Sequence, residues 1–208
     1  MEFKKTGILT TESVTNITLM LAEYYDVRRN IVVPNVSWGL FWHEADLVVV
    51  TKAGYLSEIE IKRSWTDFLA DFKKRRYHDD DRIARFYYAV PECMYQPVKD
   101  YLEENSHKQC ISKEPEMPGI IIYRTMDEPR YRRVEIIRDP VSYKKATPLA
   151  EKDILQIARL GTLRYWSLLA RKSETAKDRK IAELKSLIAE MKAEYYAATG
   201  ERFRIDYY

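Results

Sequence analysis

Apolar positions first recur at helical spacing. Val14, Ile17, Leu19, Met20 and Leu21 share a stripe that ends near Tyr25, behind Thr10 and Thr11 as N-cap candidates, which predicts a helix from about Thr11 to Tyr25. The β-branched stretch Arg29 to Val36, closing with Pro34-Asn35, predicts a short strand. Ala45 to Thr51 contains the unbroken run Leu47-Val48-Val49-Val50, the pattern of a strand covered on both faces. Lys52-Ala53-Gly54 supplies a turn, and Tyr55 to Lys62 returns as the next strand. Trp65, Phe68, Leu69 and Phe72 then mark an amphipathic helix within Arg63 to Tyr77. Phe86 to Val90 reads as a strand stopped by Pro91, Val98 to Glu104 as a helix. Gly119 to Arg124 and Tyr131 to Arg138 read as two strands around the turn Met126-Asp127-Glu128-Pro129. Alternating strands and helices of this kind describe an α/β domain with a mixed sheet flanked by helices.

After Pro140 the pattern becomes helical. Ala150 to Arg171 carries Ile154, Ile157, Leu160, Leu163, Leu168 and Leu169. The polar stretch Lys172 to Lys180 is expected to separate it from a final helix. In that helix Ile181, Leu184, Ile188, Met191 and Tyr195 follow alternating three- and four-residue steps, the a/d seam of a coiled coil over about two heptads. The expected division is a domain over residues 1–146 and a helical C-terminal region over 147–208. The seam suggests a homodimer or a helix folded back on its own domain. There is no internal repeat.

Composition changes this picture little. With 208 residues, 46% of them hydrophobic, the chain can bury one core plus an extension, and disorder throughout is excluded. The net charge of +3, 35 basic against 32 acidic residues, permits nucleic-acid binding without arguing for it. Cys93 and Cys110 are the two cysteines. Neither lies in a zinc-ligand spacing, and free thiols fit a reducing compartment. No signal-peptide pattern follows Met1, and no apolar run approaches the roughly 20 residues of a membrane span. The expectation is a cytoplasmic protein.

The chemistry concentrates in Glu44-Ala45-Asp46-Leu47 and Glu58-Ile59-Glu60-Ile61-Lys62. Side chains alternate along a strand, so Glu58, Glu60 and Lys62 share one face and Ile59 and Ile61 the other. A hairpin at Lys52-Ala53-Gly54 would bring Asp46 close to Glu60. Two carboxylates, with the Ile61 carbonyl as a third oxygen, suit Mg²⁺ or Mn²⁺. Such an ion supports phosphodiester hydrolysis by activating water and neutralising developing charge. Lys62 could orient or deprotonate that water and contact the phosphate. A third carboxylate is expected from the first helix, Glu12 in preference to Glu23.

The pattern Asp46…Glu60-x-Lys62, behind a helix and a strand, resembles the PD-(D/E)xK nuclease superfamily. The segments Ile59-Glu60-Ile61-Lys62-Arg63-Ser64-Trp65-Thr66-Asp67-Phe68-Leu69-Ala70-Asp71 and Arg85-Phe86-Tyr87-Tyr88-Ala89-Val90-Pro91 are similar to the MmcB-like DNA repair proteins. Gly119-Ile120-Ile121 and the helix from about Ala158 to Leu169 extend the likeness over roughly residues 10–171. The resemblance implies a restriction-endonuclease-like fold, a DNA substrate and a divalent metal. Ala45 stands where the superfamily name has proline.

Other residues read more plainly. Glu58 reads as a solvated or rim charge, and His43 as polar loop surface. Trp38, Phe41 and Trp42 read as packing beneath the site rather than platforms for bases. Lys73, Lys74, Arg75 and Arg76 end a helix, where they complement its dipole and are candidates to grip a phosphate backbone. Asp79-Asp80-Asp81 reads as a solvated turn. The function expected is Mg²⁺-dependent DNA hydrolysis in repair, recombination or defence. The alternatives are a catalytically inactive DNA-binding module of the same fold, or an interaction protein with no nucleic-acid role.

Overall fold

The computed structural model describes residues 9–37, 41, 43–72, 80–105, 117–141 and 146–201. Two compact units are defined, one ending at Gly161 and one beginning at Thr162.

The first unit is an α/β layer built on a six-stranded mixed sheet whose strands lie side by side in chain order. Helix α1 (Val14–Tyr24) is capped by Ser13, whose hydroxyl accepts the Asn16 amide at 3.0 Å, two residues beyond the threonines expected to do so. Strands β1 (Ile31–Val36), β2 (Ala45–Val50) and β3 (Leu56–Ile61) form an antiparallel meander. The turn before β3 uses Gly54 at φ 83°, a left-handed backbone that glycine adopts at little cost. Helix α2 (Trp65–Asp71), capped by Ser64, crosses to β4 (Ile83–Pro91), which runs parallel to β3. A short 3-10 turn and α3 (Tyr95–Asn105) cross to β5 (Gly119–Tyr123), also parallel. The short helix α4 (Arg130–Arg133) precedes the antiparallel edge strand β6 (Val134–Arg138).

Alternation along the strands divides the core between the two faces. Ile17, Met20 and Leu21 of α1 pack on Leu47, Ile59, Ile61, Ala89, Ile121 and Tyr123. On the opposite face Phe68 of α2 and Val98 and Leu102 of α3 pack on Tyr88, Val90, Ile120 and Ile122. Leu149 and Ile157 cover Val33, Val48, Val50 and Leu56 on that same face. The central strand β3 is therefore buried along its whole length.

Two expectations are corrected. Residues 131–133, expected to open a strand, belong to α4 instead, and β6 begins only at Val134. The stretch Lys172 to Lys180 does not interrupt the last helix. Helix α5 runs from Glu151 to Thr199 without a break. That stretch contains neither glycine nor proline and consists largely of good helix formers, so its polarity marks exposure rather than a loop. In the second unit the helix takes up Thr162 to Thr199. No helix among the described residues is long and apolar enough to cross a membrane.

Candidate active site

Strands β2 and β3 stop pairing before their common end. The last paired residues are Leu47 and Ile59, and side chains then replace the backbone ladder. Asp46 Oδ2 accepts the Ile61 amide at 2.8 Å, and the Asp46 amide points at Glu60 Oε1 at 3.4 Å. On the other side of β2, the ladder with β1 passes from Pro34–Leu47 to Val36–Ala45 and omits Asn35, which has φ 48°. Asparagine tolerates this left-handed conformation better than most residues. Asp46 is thus released from a regular ladder on both sides, and the Ile61 amide orients its carboxylate.

Lys62 follows the end of β3 and is fixed at three points. Its amide donates to the Ala89 carbonyl at 2.9 Å, and its own carbonyl accepts the Tyr123 hydroxyl at 3.1 Å. Its ammonium lies 2.9 Å from Glu60 Oε2 and 3.1 Å from Asp71 Oδ1. Lys62 is only 3% exposed. Burial by itself would push its pKa down, but Glu60 and Asp71 outweigh burial and hold it above the usual lysine range. Lys62 is therefore held as an ammonium paired with both carboxylates.

Burial raises the Asp46 carboxyl above its ordinary range; the Ile61 amide and Lys62 pull it down in part, while Asp67 and Asp71 push it up. Asp71 also meets the hydroxyl of Tyr88, whose pKa is raised chiefly by burial. The strand end therefore gathers the carboxylates of Asp46, Glu60 and Asp71 about a single lysine side chain, with Asp67 acting on Asp46 from the first turn of α2.

The carboxylates of Asp46 and Glu60 are the donors here that could serve a hard divalent ion. Mg²⁺ commonly uses one or two carboxylates and keeps several waters. Among the described residues no group of three His, Cys, Asp or Glu side chains is arranged to hold a metal. Glu12, expected as the auxiliary ligand, has another task. Its Oε1 accepts the Met126 amide at 2.9 Å and its Oε2 accepts Asn16 Nδ2 at 2.8 Å, tying the entrance of α1 to the loop after β5. The Met126 amide, then Asn16, hold its carboxyl below the ordinary range. At Ile61, whose carbonyl was expected as a third oxygen ligand, the amide donates to Asp46.

Sequence reasoning missed several partners. Glu58 is fully buried rather than a rim charge, and its Oε1 lies 2.7 Å from Nε2 of His43, itself buried and stacked on Phe41. Phe41 packs in the core, as expected. The signal for Glu58 was available, because a central strand covered on both faces has no rim. Asp71 carried a signal too. It falls between Phe68 and Phe72 on one helix stripe, an acid where the pattern calls for an apolar residue. Asp80 is spent on an ion pair with Arg82 at 2.6 Å. Lys73, Lys74, Arg75, Arg76, Asp79, Trp38, Trp42 and Cys110 lie outside the described residues.

No family profile and no curated protein matches the chain. Among solved structures it is similar to a protein of unknown function from Silicibacter pomeroyi, with 18% identity, a TM-score of 0.45, and coverage of 83% of this chain and 96% of that one.

Proposed function

We propose that the first unit is a restriction-endonuclease-like domain that hydrolyses DNA phosphodiesters with Mg²⁺ or Mn²⁺. The observation that carries this reading is the convergence of Asp46 from β2 with Glu60 of β3 and Lys62 just beyond it, where the ladder gives out. The chemistry of the donor set supports the ion and the phosphate, and the sequence resemblance supports DNA.

In this reading the carboxylates of Asp46 and Glu60 bind the cation, and the Ile61 amide keeps Asp46 turned toward it. The ion, when bound, would lower the pKa of a water and neutralise charge on the phosphate. Lys62, clamped between Glu60 and Asp71, supplies a positive charge at a constrained position, which favours an anionic transition state without reorganisation. Lys73, Lys74, Arg75 and Arg76 are proposed as backbone-phosphate contacts.

The test is cleavage of labelled single strands, duplexes, flaps and junctions with Mn²⁺, against chelator and against Asp46→Asn. Metal-dependent cutting by the wild type that Asp46→Asn loses supports the proposal. Equal products from both proteins would remove it. A second reading, a DNA-binding module that does not cut, is favoured by the ion pair that engages Glu60 with Lys62 at 2.9 Å. It requires salt-sensitive DNA binding that survives chelation.

A further inference from the structure

Every residue from Tyr165 to Glu201 is exposed. Along this part of α5, Ile181, Leu184, Leu187, Ile188 and Met191 are 43–58% exposed, with Tyr195 at 38%, and they line one seam. A helix with a stripe of this kind needs a covering partner. Taking Ile181 and Ile188 as a positions and Leu184 and Met191 as d positions, the flanking e and g residues say which partner fits. The e positions hold Asp178, Lys185 and Lys192; the g positions hold Lys180, Leu187 and Glu194.

We infer that this seam pairs with the same seam of a second copy of the chain, running antiparallel. In that orientation a positions face d positions, g faces g and e faces e. Ile181 meets Met191 of the second copy, and Leu184 meets its Ile188. Lys180 then flanks Glu194 of the second copy, and Asp178 flanks its Lys192, each pair occurring twice by symmetry. Leu187 meets its own equivalent and widens the apolar seam. Lys177, which interrupts the a/d pattern, falls opposite Tyr195 and can lie over its ring. The unfavourable contact is Lys185 with its equivalent at the centre.

The parallel arrangement lacks this complementarity. There each g residue faces the following e residue, so Lys180 would oppose Lys185 of the second copy twice over, Leu187 would face Lys192, and Glu194 would face Thr199. Like charges so placed select against that pairing. Lys180 now lies 3.6 Å from Glu183 of its own helix, an exposed pair that contributes little and can be exchanged. This inference does not depend on the nuclease reading.

The experiment measures the mass of the full-length protein by sedimentation equilibrium over a range of concentrations, with circular dichroism to confirm helix content. The wild type should form a dimer. Lys180→Glu places Glu against Glu194 and should raise the dimer Kd on the order of tenfold. The swap Lys180→Glu with Glu194→Lys should restore it. A parallel dimer gives the opposite sign, because Lys180→Glu would then relieve repulsion with Lys185 and tighten association; that result overturns the inference. A wild type that stays monomeric at every concentration overturns it equally, and association unchanged by Leu184→Asp shows that another surface is used.

Discussion

The ammonium of Lys62 is held 3.1 Å from the carboxylate of Asp71, a contact between the end of a strand and the last turn of the helix that follows it. Both side chains are almost fully buried. Lys62 cannot therefore be removed as a surface lysine could. Lys62→Ala would leave Glu60 and Asp71 without their shared cation, at a cost of about 3–5 kcal/mol. Loss of cleavage in that variant would say little about catalysis. Asp71→Asn is the sharper probe. It keeps a hydrogen-bond acceptor and leaves Lys62 paired with Glu60, so the domain should remain folded while Lys62 loses part of its positioning. Cleavage should fall by at least about tenfold with divalent-ion binding unchanged. An Asp71→Asn protein as active as the wild type would show that this contact serves only the fold.

Binding of a divalent ion has a readout independent of cleavage. An ion that binds only the folded state stabilises it by about 2.7 kcal/mol at 100 times its Kd, a melting shift of about 5–10 °C for a domain of this size. Mn²⁺ should raise the wild-type melting temperature and leave Asp46→Asn nearly unmoved. A shift of the same size in both would place the ion elsewhere.

Glu58 and His43 form the second buried polar pair, 2.7 Å apart on the face of β3 that also carries Glu60. His43→Ala removes that partner from a fully buried carboxylate and leaves a gap beside Phe41. A loss of about 2–3 kcal/mol is expected, with a melting temperature lower by roughly 5–10 °C. The double variant His43→Leu with Glu58→Gln should recover part of it. Calorimetry of the three proteins decides whether the pair is structural; a His43→Ala protein that melts with the wild type would mean Glu58 is held by other groups.

Much of this architecture could be read from the chain because its signals are local. The run Leu47 to Val50, the alternation about Ile59 and Ile61, and the turn at Gly54 place β2 beside β3 without tertiary knowledge, and with them Asp46 beside Glu60. The contacts that define the site are not local. Asp71 reaches Lys62 only because α2 folds back over β3, and Tyr123 reaches the Lys62 carbonyl from a strand that comes much later in the chain. The partners of Glu12 were missed for the same reason. Nothing before Val14 announces that the Met126 amide will claim its carboxylate. The polar stretch after Arg171 misled in another way, since charge density alone does not separate an exposed helix from a loop.

That arrangement of Glu12 yields the last prediction. Its carboxylate joins the entrance of α1 to the loop after β5 through the Met126 amide and Asn16. Hydrogen bonds to a charged acceptor contribute more than neutral ones, so Glu12→Gln should lower stability by about 1–2 kcal/mol at neutral pH while leaving divalent-ion binding intact. The folded state holds this carboxyl below its ordinary pKa. Its contribution is accordingly present above the pKa of the unfolded chain and disappears as the pH falls through the lowered value. Denaturant titrations of the wild type and Glu12→Gln should show a gap at neutral pH that closes in acid. A gap that persisted unchanged into acid would mean the charge on Glu12 does not contribute, and loss of the Mn²⁺-induced melting shift in Glu12→Gln would return this residue to the metal site.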